Sequence, residues 1–389
     1  MEIAVVGGSL GGLTAACLLA DDGHDVTVYE RSSAPLEERG AGIGLLPMTS
    51  RYVSERGGVD LAAVSIATSF IRTLHRDGSV LHEVAHPYLF SSWNTVYREM
   101  LGCFDRDRYR LGHEMTVLDP TTPRIGFANG SHVEPDVVVC ADGVGSAARR
   151  SFDPGASPDY AGYVAWRGVV PEVELSAATR SRLNDAITYY VYANSHILVY
   201  PIPARDGSVA EGDRLMNIVW YRNYRDGDDL ADLMTDRSGT LREVSLPPGA
   251  VRDEHAAEAR AVAAARLPGC IAEVVAMIDD LFVQVIYDLA VGRMVVGKAA
   301  LIGDAAFAVR PHAAAGTAKA AADAWTLRDA FAAHPGDVAA ALAAWEAPQL
   351  ELGRTLLART RAIGRRSQFD DRWVPGDPDL VFGLYAPGN

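Results

Sequence analysis

Hydrophobic and polar positions along this chain switch repeatedly between strand-like and helix-like periods. The apolar run Glu2–Val6 meets the turn Gly7-Gly8-Ser9-Leu10-Gly11-Gly12, and Leu13–Ala20 follows as a compact apolar helix closed by Gly23. Asp25–Glu30 alternates polar and apolar residues, the pattern of a second strand. Asp77-Gly78 and Asn129-Gly130 sit between strand-like runs and mark hairpins. Val137–Ala141 reads as a buried strand ending at Asp142-Gly143.

From about Asp159 to Tyr224 the chain turns to aromatic and β-branched residues. The runs Tyr163–Val170, Ile187–Tyr192, Ile197–Ile202 and Leu215–Tyr221 predict an antiparallel sheet, broken by the polar loop Ala204–Asp213. Helices are predicted in Glu254–Ala265, Ile271–Ile278, Ala318–Ala333 and Val338–Ile363, and an apolar strand in Arg293–Asp304. The proline-bearing tail Arg372–Asn389 must pack on something or fray. An α/β chain of two units follows. Residues 1–155 and 288–389 would form a discontinuous nucleotide-binding domain. Residues 156–287, with a contribution from about 68–90, would form an inserted antiparallel substrate domain.

Composition narrows the function classes. Lys and Arg number 36 against 50 Asp and Glu, a formal charge of −14 without the clustered cations that a nucleic acid or anionic membrane requires. The basic run Arg359–Arg366 reads as a solvated helix end. No apolar run approaches the ~18 residues of a membrane helix, and no solenoid-type repeat recurs. Cys17, Cys103, Cys140 and Cys270 lie far apart, with no metal-ligand spacing, so no metal is expected. The N-terminus enters a strand at once, with no charged leader. A soluble cytoplasmic enzyme is the expectation.

Three motifs carry the chemistry. The first is a dinucleotide fingerprint on Gly7, Ser9 and Gly12, in which serine replaces the middle glycine and offers a hydroxyl to a phosphate oxygen. The helix behind it presents unpaired N–H groups to a pyrophosphate. Glu30, at the end of the second strand, suits a ribose diol. The second motif is Asp142-Gly143 with Arg149 close behind. The third is Gly303-Asp304, followed by Pro311 and by Gly316-Thr317 at a helix start, whose amides suit a developing anion.

Together, in this order, the three motifs resemble those of the class A flavoprotein monooxygenases, the FAD-dependent aromatic hydroxylases, over essentially the whole chain. Tyr160–Val169, Arg310–Gly316, Pro375-Gly376-Asp377-Pro378 and Phe382-Gly383-Leu384 resemble the 2,6-dihydroxypyridine 3-hydroxylase subgroup. Most of the wider family carries a histidine directly after Gly-Asp-Ala-Ala. Here Phe307 stands there and His312 follows the proline. The resemblance implies a Rossmann-like FAD-binding domain of the para-hydroxybenzoate-hydroxylase type, an inserted β-sheet and C-terminal helices. It implies that NADH or NADPH and O2 are consumed to hydroxylate a small hydroxylated aromatic or N-heteroaromatic ring through a C4a-hydroperoxyflavin. A homodimer is also implied. FAD would fall on Gly7, Ser9, Leu10, Gly12, Glu30 and Arg31, with Arg98 reaching its phosphates or ribityl chain. Asp142 and Gly143 would touch FAD and the nicotinamide, and Asp304 the ribityl chain. Pro311, Gly316 and Thr317 would lie at the flavin edge.

Candidate bases for the substrate hydroxyl are His196 and His312, since an unperturbed histidine titrates near neutrality. A dihydroxypyridine is acidic enough to make a protein base dispensable. Tyr200, Trp220 and Tyr221, with Trp166, are candidates for an aromatic pocket, and Arg167 either attracts an anionic substrate or, the favoured reading, pairs with an acid on the sheet edge. Two other readings stand: a tailoring oxygenase (epoxidation or Baeyer–Villiger) on a larger natural product, and a non-catalytic flavin-binding protein. A halogenase is disfavoured, because no Trp-x-Trp-x-Ile-Pro signature is present.

Overall fold

Two large sheets organise the chain; the computed structural model describes residues 1–37 and 41–389. The first sheet has six strands, in the order Val295–Val296, Ala299–Leu301, Val137–Cys140, Glu2–Val6, Asp25–Tyr29 and Tyr109–Arg110. Its centre is parallel, with Ile3 beside Val137 and Val26. Val137–Cys140 is buried on both faces, which explains its continuous apolar run. Helix Leu10–Asp21 covers one face and packs against helix Gly316–Ala333. A Cβ on Gly11 would lie 2.9 Å from that of Ala320, so glycine allows the close approach. Arg293–Asp304 differs from the expected single strand: it holds two short antiparallel strands. Gly297 turns between them with φ +58, and a Cβ there would strike the Pro120 carbonyl at 2.2 Å. A small three-stranded sheet spans Met115–Val133 and turns at Asn129-Gly130.

The second sheet has nine strands. Their order is Ser245–Leu246, Phe282–Asp288, Asp159–Pro171, Leu215–Asn223, Ser195–Ile202, Ala186–Tyr192, Ile66–Leu74, Val80–Ser92 and Gly42–Gly44. It is mixed rather than purely antiparallel, because Ala186–Tyr192 runs parallel to Ile66–Leu74. It also recruits Gly42–Gly44, a segment too short to show any alternation in the sequence. The Asp77-Gly78 hairpin joins Ile66–Leu74 to Val80–Ser92, with Gly78 at φ +84.

Strand alternation gives this sheet two working faces. Val164, Trp166, Ile218 and Trp220 face a core closed by helices Asp253–Arg266 and Gly269–Met277. Tyr163, Ala165, Val219 and Tyr221 face the first unit. Helix Val338–Gln368 runs between the units and ends in the tail. Phe382 and Leu384 are buried there, and Arg359 holds the Val381 and Gly383 carbonyls. Arg366 pairs with Asp377 and Asp379. Arg359 and Arg366 at this basic helix end thus clamp the tail, while Arg361 and Arg365 stay exposed.

Candidate functional site

The fingerprint turn has a mechanical logic. Gly7 adopts φ +102, and a Cβ on Gly12 would lie 1.9 Å from the Gly7 carbonyl, so helix and strand meet only because both are glycine. Ser9 stands at the helix N-cap, yet its hydroxyl caps none of the helix N–H groups. It opens onto the cleft instead. Glu30 is buried and accepts the N–H groups of Gly8 and Ser32, each at 2.8 Å. Each carboxylate oxygen keeps a lone pair for a ribose hydroxyl.

A continuous cleft runs from this turn to the second sheet. Its outer part is lined by Gly7, Ser9, Glu30, Arg31, Asp142 and Gly143, among others. Its inner part adds Leu10, Gly12, Asp304, Pro311, Gly316 and Thr317. Asp142 Oδ2 caps the helix Ala147–Phe152 through the Ala147 N–H at 2.8 Å, while Oδ1 is buried without a partner. Arg149 ties this loop to the Gly303-Asp304 turn, donating to the carbonyls of Val144 and Ala305. A Cβ on Gly143 or Gly316 would meet nothing within 4 Å, so both expose bare backbone to the cleft. An extended dinucleotide fits these features: a ribose acceptor at one end, a helix N-terminus and a hydroxyl in the middle, open amides at the other.

The inner end is an aromatic chamber. Tyr189, Tyr200, Tyr221, Phe90, Trp373 and Phe382 line it, together with His196 and His312. Tyr200 stacks on Phe90 at 4.2 Å. His196 stacks on Trp373 at 4.9 Å and lies 4.5 Å from Tyr221 and 5.4 Å from His312, centre to centre. Burial pushes His196 down to about 3. Burial lowers His312 well below the usual range, with His196 and Arg310 adding to the effect. This corrects the expectation of a histidine poised near neutrality: both rings are neutral hydrogen-bonding groups and weak bases. The Nδ1 of His196 accepts from Gln368 Nε2 at 3.0 Å in this arrangement, which places the ring proton on Nε2.

Three expectations need correction. Trp220 does not line the chamber. It lies on the other face of its strand from Tyr221, donates to Ser195 Oγ and Tyr192 Oη, and packs opposite Trp166 in the helix-covered core. A pocket wall and a core were indistinguishable by composition; the register separates them. Arg98 is not among the residues that line the two parts of the cleft. Its neighbour Tyr97 takes the inward position on helix Trp93–Gly102, within 3.1 Å of Tyr109 Oη, and Arg98 turns toward the loop at Gly207. Arg167 has no acid partner among the described residues. It donates to Gly42 O at 2.6 Å and Gln284 Oε1 at 3.3 Å, and its Nε is buried and unpartnered where the two parts of the cleft join. The sequence reading passed over Tyr163, Gln368, Lys319 and Asp323, all buried beside or behind the cleft wall. Only buried-looking polar residues in apolar helix faces hinted at the last three.

A dinucleotide cleft that ends in an aromatic chamber is the arrangement expected of a flavoprotein monooxygenase. Residues 5–35 match the family model of an NAD(P)-binding Rossmann-like domain, and residues 160–288 match one described as FAD binding domain-like. A 2,6-dihydroxypyridine 3-monooxygenase of Paenarthrobacter nicotinovorans is 37% identical over 98% of this chain and 96% of its own. The solved structure of 2,6-dihydroxypyridine-3-hydroxylase from Arthrobacter nicotinovorans superposes with a TM-score of 0.93 at 35% identity, covering 99% and 97% of the two chains. A Klebsiella pneumoniae protein, HpxO, solved with FAD and uric acid, shares the fold at 24% identity and a TM-score of 0.76, covering 95% of this chain and 90% of that one. The chain belongs to the FAD-dependent aromatic hydroxylases. It is an oxidoreductase that binds FAD and draws electrons from NAD(P)H. No helix among the described residues is long and apolar enough to cross a membrane.

Proposed function

We propose that the ring hydroxylated by this enzyme is a small hydroxylated N-heterocycle of the 2,6-dihydroxypyridine type. The supporting observation is the inner chamber, whose charged lining among the described residues is Arg167 and Asp304 alone. A flat ring carrying hydroxyl and ring-nitrogen groups exchanges hydrogen bonds with His196, His312 and Tyr221 and contacts the aromatic walls, Tyr200 among them. An acidic dihydroxypyridine arrives partly ionised, and Arg167 supplies the cation at the cleft junction.

When bound, FAD supplies hydride acceptance from NADH or NADPH, reaction with O2 and delivery of one oxygen to the ring. The chain's own residues bind and orient. Gly7, Ser9, Leu10, Gly12, Glu30 and Arg31 hold the adenosine and pyrophosphate half; Asp142, Gly143 and Asp304 hold the middle. Pro311, Gly316 and Thr317 sit at the flavin edge, where the N-terminus of helix Gly316–Ala333 favours negative charge. Phe90, Trp373 and Phe382 exclude water from the chamber. His196 and His312 orient the substrate hydroxyl rather than remove its proton to solution. Residues 1–155 and 288–389 act as the cofactor unit and residues 156–287, with 68–90, as the substrate unit, a division supported by the two sheets. A homodimer and a cytoplasmic location complete the reading, supported by family resemblance and by four unpaired cysteines.

The test is NADH and NADPH oxidation by FAD-loaded protein with and without 2,6-dihydroxypyridine, with the product mass recorded. Substrate-stimulated oxidation and one added oxygen support the reading. Unstimulated oxidation that yields only peroxide overturns it.

A further inference from the structure

A lysine and an aspartate are sealed behind the cleft wall. Lys319 and Asp323 lie one turn apart on helix Gly316–Ala333, 1% and 0% exposed, with Nζ 2.7 Å from Oδ2. The same Oδ2 accepts the N–H of Gly303 at 2.8 Å. Gly303 holds φ +59 and precedes Asp304 in the turn that faces the cleft. On its other side the Lys319 ammonium lies 4.9 Å over the ring of Phe307. Trp345 donates to the Asp323 backbone carbonyl at 3.0 Å, which fixes that turn of the helix.

A buried ion pair is expensive to desolvate and contributes little net stability, so its retention points to geometry. Here the geometry is specific. Asp323 is the bond between two elements of the cofactor site, the helix that opens at Gly316 and the turn that presents Asp304. Its second oxygen, Oδ1, is buried without a partner, so the carboxylate depends on Lys319 for its compensation. Phenylalanine at position 307 suits this arrangement: its ring face attracts the ammonium, where an ionisable ring would compete with Asp323 for it. We propose that Lys319 is a positioning residue of the FAD site, acting through Asp323 on the Gly303 amide and hence on the placement of Asp304. Burial raises Asp323 and Lys319 opposes that effect, as this role requires.

The inference rests on the assignment of the Gly303-Asp304 turn to FAD, which Asp304→Ala tests separately. FAD affinity is measured by flavin fluorescence on the apoprotein, and the unfolding midpoint of the same FAD-free sample is recorded. Lys319→Met is expected to weaken FAD binding by about tenfold or more, because the carboxylate loses its compensation. Lys319→Met with Asp323→Asn restores a neutral acceptor for Gly303 and is expected to recover affinity to within about threefold of the wild type. Wild-type affinity in Lys319→Met overturns the proposal. So does a double variant that folds yet binds no better than the single one. If the single variant fails to fold, the double variant decides: near-wild-type affinity supports the role, and a tenfold loss overturns it. Retention of FAD by Asp304→Ala would instead overturn the assignment of the turn.

Discussion

The hydroxyl of Tyr163 lies 2.6 Å from Nε2 of His312, joining the second sheet to the loop that follows the Gly303-Asp304 turn. The third party to this contact is Gly364 on the long helix. A Cβ there would sit 2.6 Å from the Tyr163 hydroxyl and 3.0 Å from both His312 Nε2 and Arg310 Nη1. Gly364→Ala is therefore expected to push His312 from its place and to destabilise the protein by about 1–3 kcal/mol. Product formed per NAD(P)H oxidised should fall while FAD is retained. Unchanged coupling would show that the contact is not needed for oxygen transfer.

The neutral state of the two histidines has a pH consequence. His196 is lowered to about 3 and His312 well below its ordinary value, so the unfolded chain binds more protons than the folded one below pH ~6.5. Stability is full above that value and falls as the pH drops from 6.5 toward the folded value, by about 1.4 kcal/mol per unit for each ring. Denaturant unfolding of the FAD-free protein near pH 7 and pH 5 measures this. His196→Phe should reduce the loss; an identical loss in variant and wild type would contradict the neutral buried ring.

His196→Ala should lower hydroxylation by about tenfold while flavin reduction by NAD(P)H changes little, because the residue lines the aromatic chamber proposed to take the substrate. Stopped-flow reduction and product assays read the two separately. Equal losses in both would remove His196 from the substrate's surroundings.

The register of the strand Leu215–Asn223 makes adjacent aromatic residues behave differently. Tyr221→Phe should raise KM with little change in unfolding midpoint, since Tyr221 lines the chamber. Trp220→Phe should leave KM unchanged and cost about 1–3 kcal/mol of stability, since its indole N–H serves Ser195 and Tyr192 in the core. A reversed pattern would place the substrate on the other face of the sheet.

Asp304→Ala should release FAD on gel filtration. The carboxylate opens onto the cleft beside Pro311, Gly316 and Thr317, the segment proposed to meet the flavin edge. Undiminished flavin content would remove Asp304 from the cofactor's contacts.

What was legible in the sequence follows a physical division. The turn at Gly7–Gly12, the helix behind it, Glu30 at the strand end and the two hairpin turns depend on local backbone conformation, and short-range glycine placement and periodicity encode that directly. The Arg293–Asp304 hairpin escaped because its strands are two and three residues long and the Gly297 turn is defined by a contact with Pro120.

The site divides the same way. The motif residues that line the cleft through backbone geometry could be named from the chain alone. Tertiary structure alone decided which face Trp220 and Tyr221 occupy, where Arg98 and Arg167 point, and that the tail would bring Trp373 and Phe382 over the chamber. It also brought Tyr163, 149 residues away in the chain, to His312, and closed Asp323 onto Gly303 twenty residues before it. Local pattern sets an element's conformation; burial sets ionisation and contact, and burial is a property of the assembled layers.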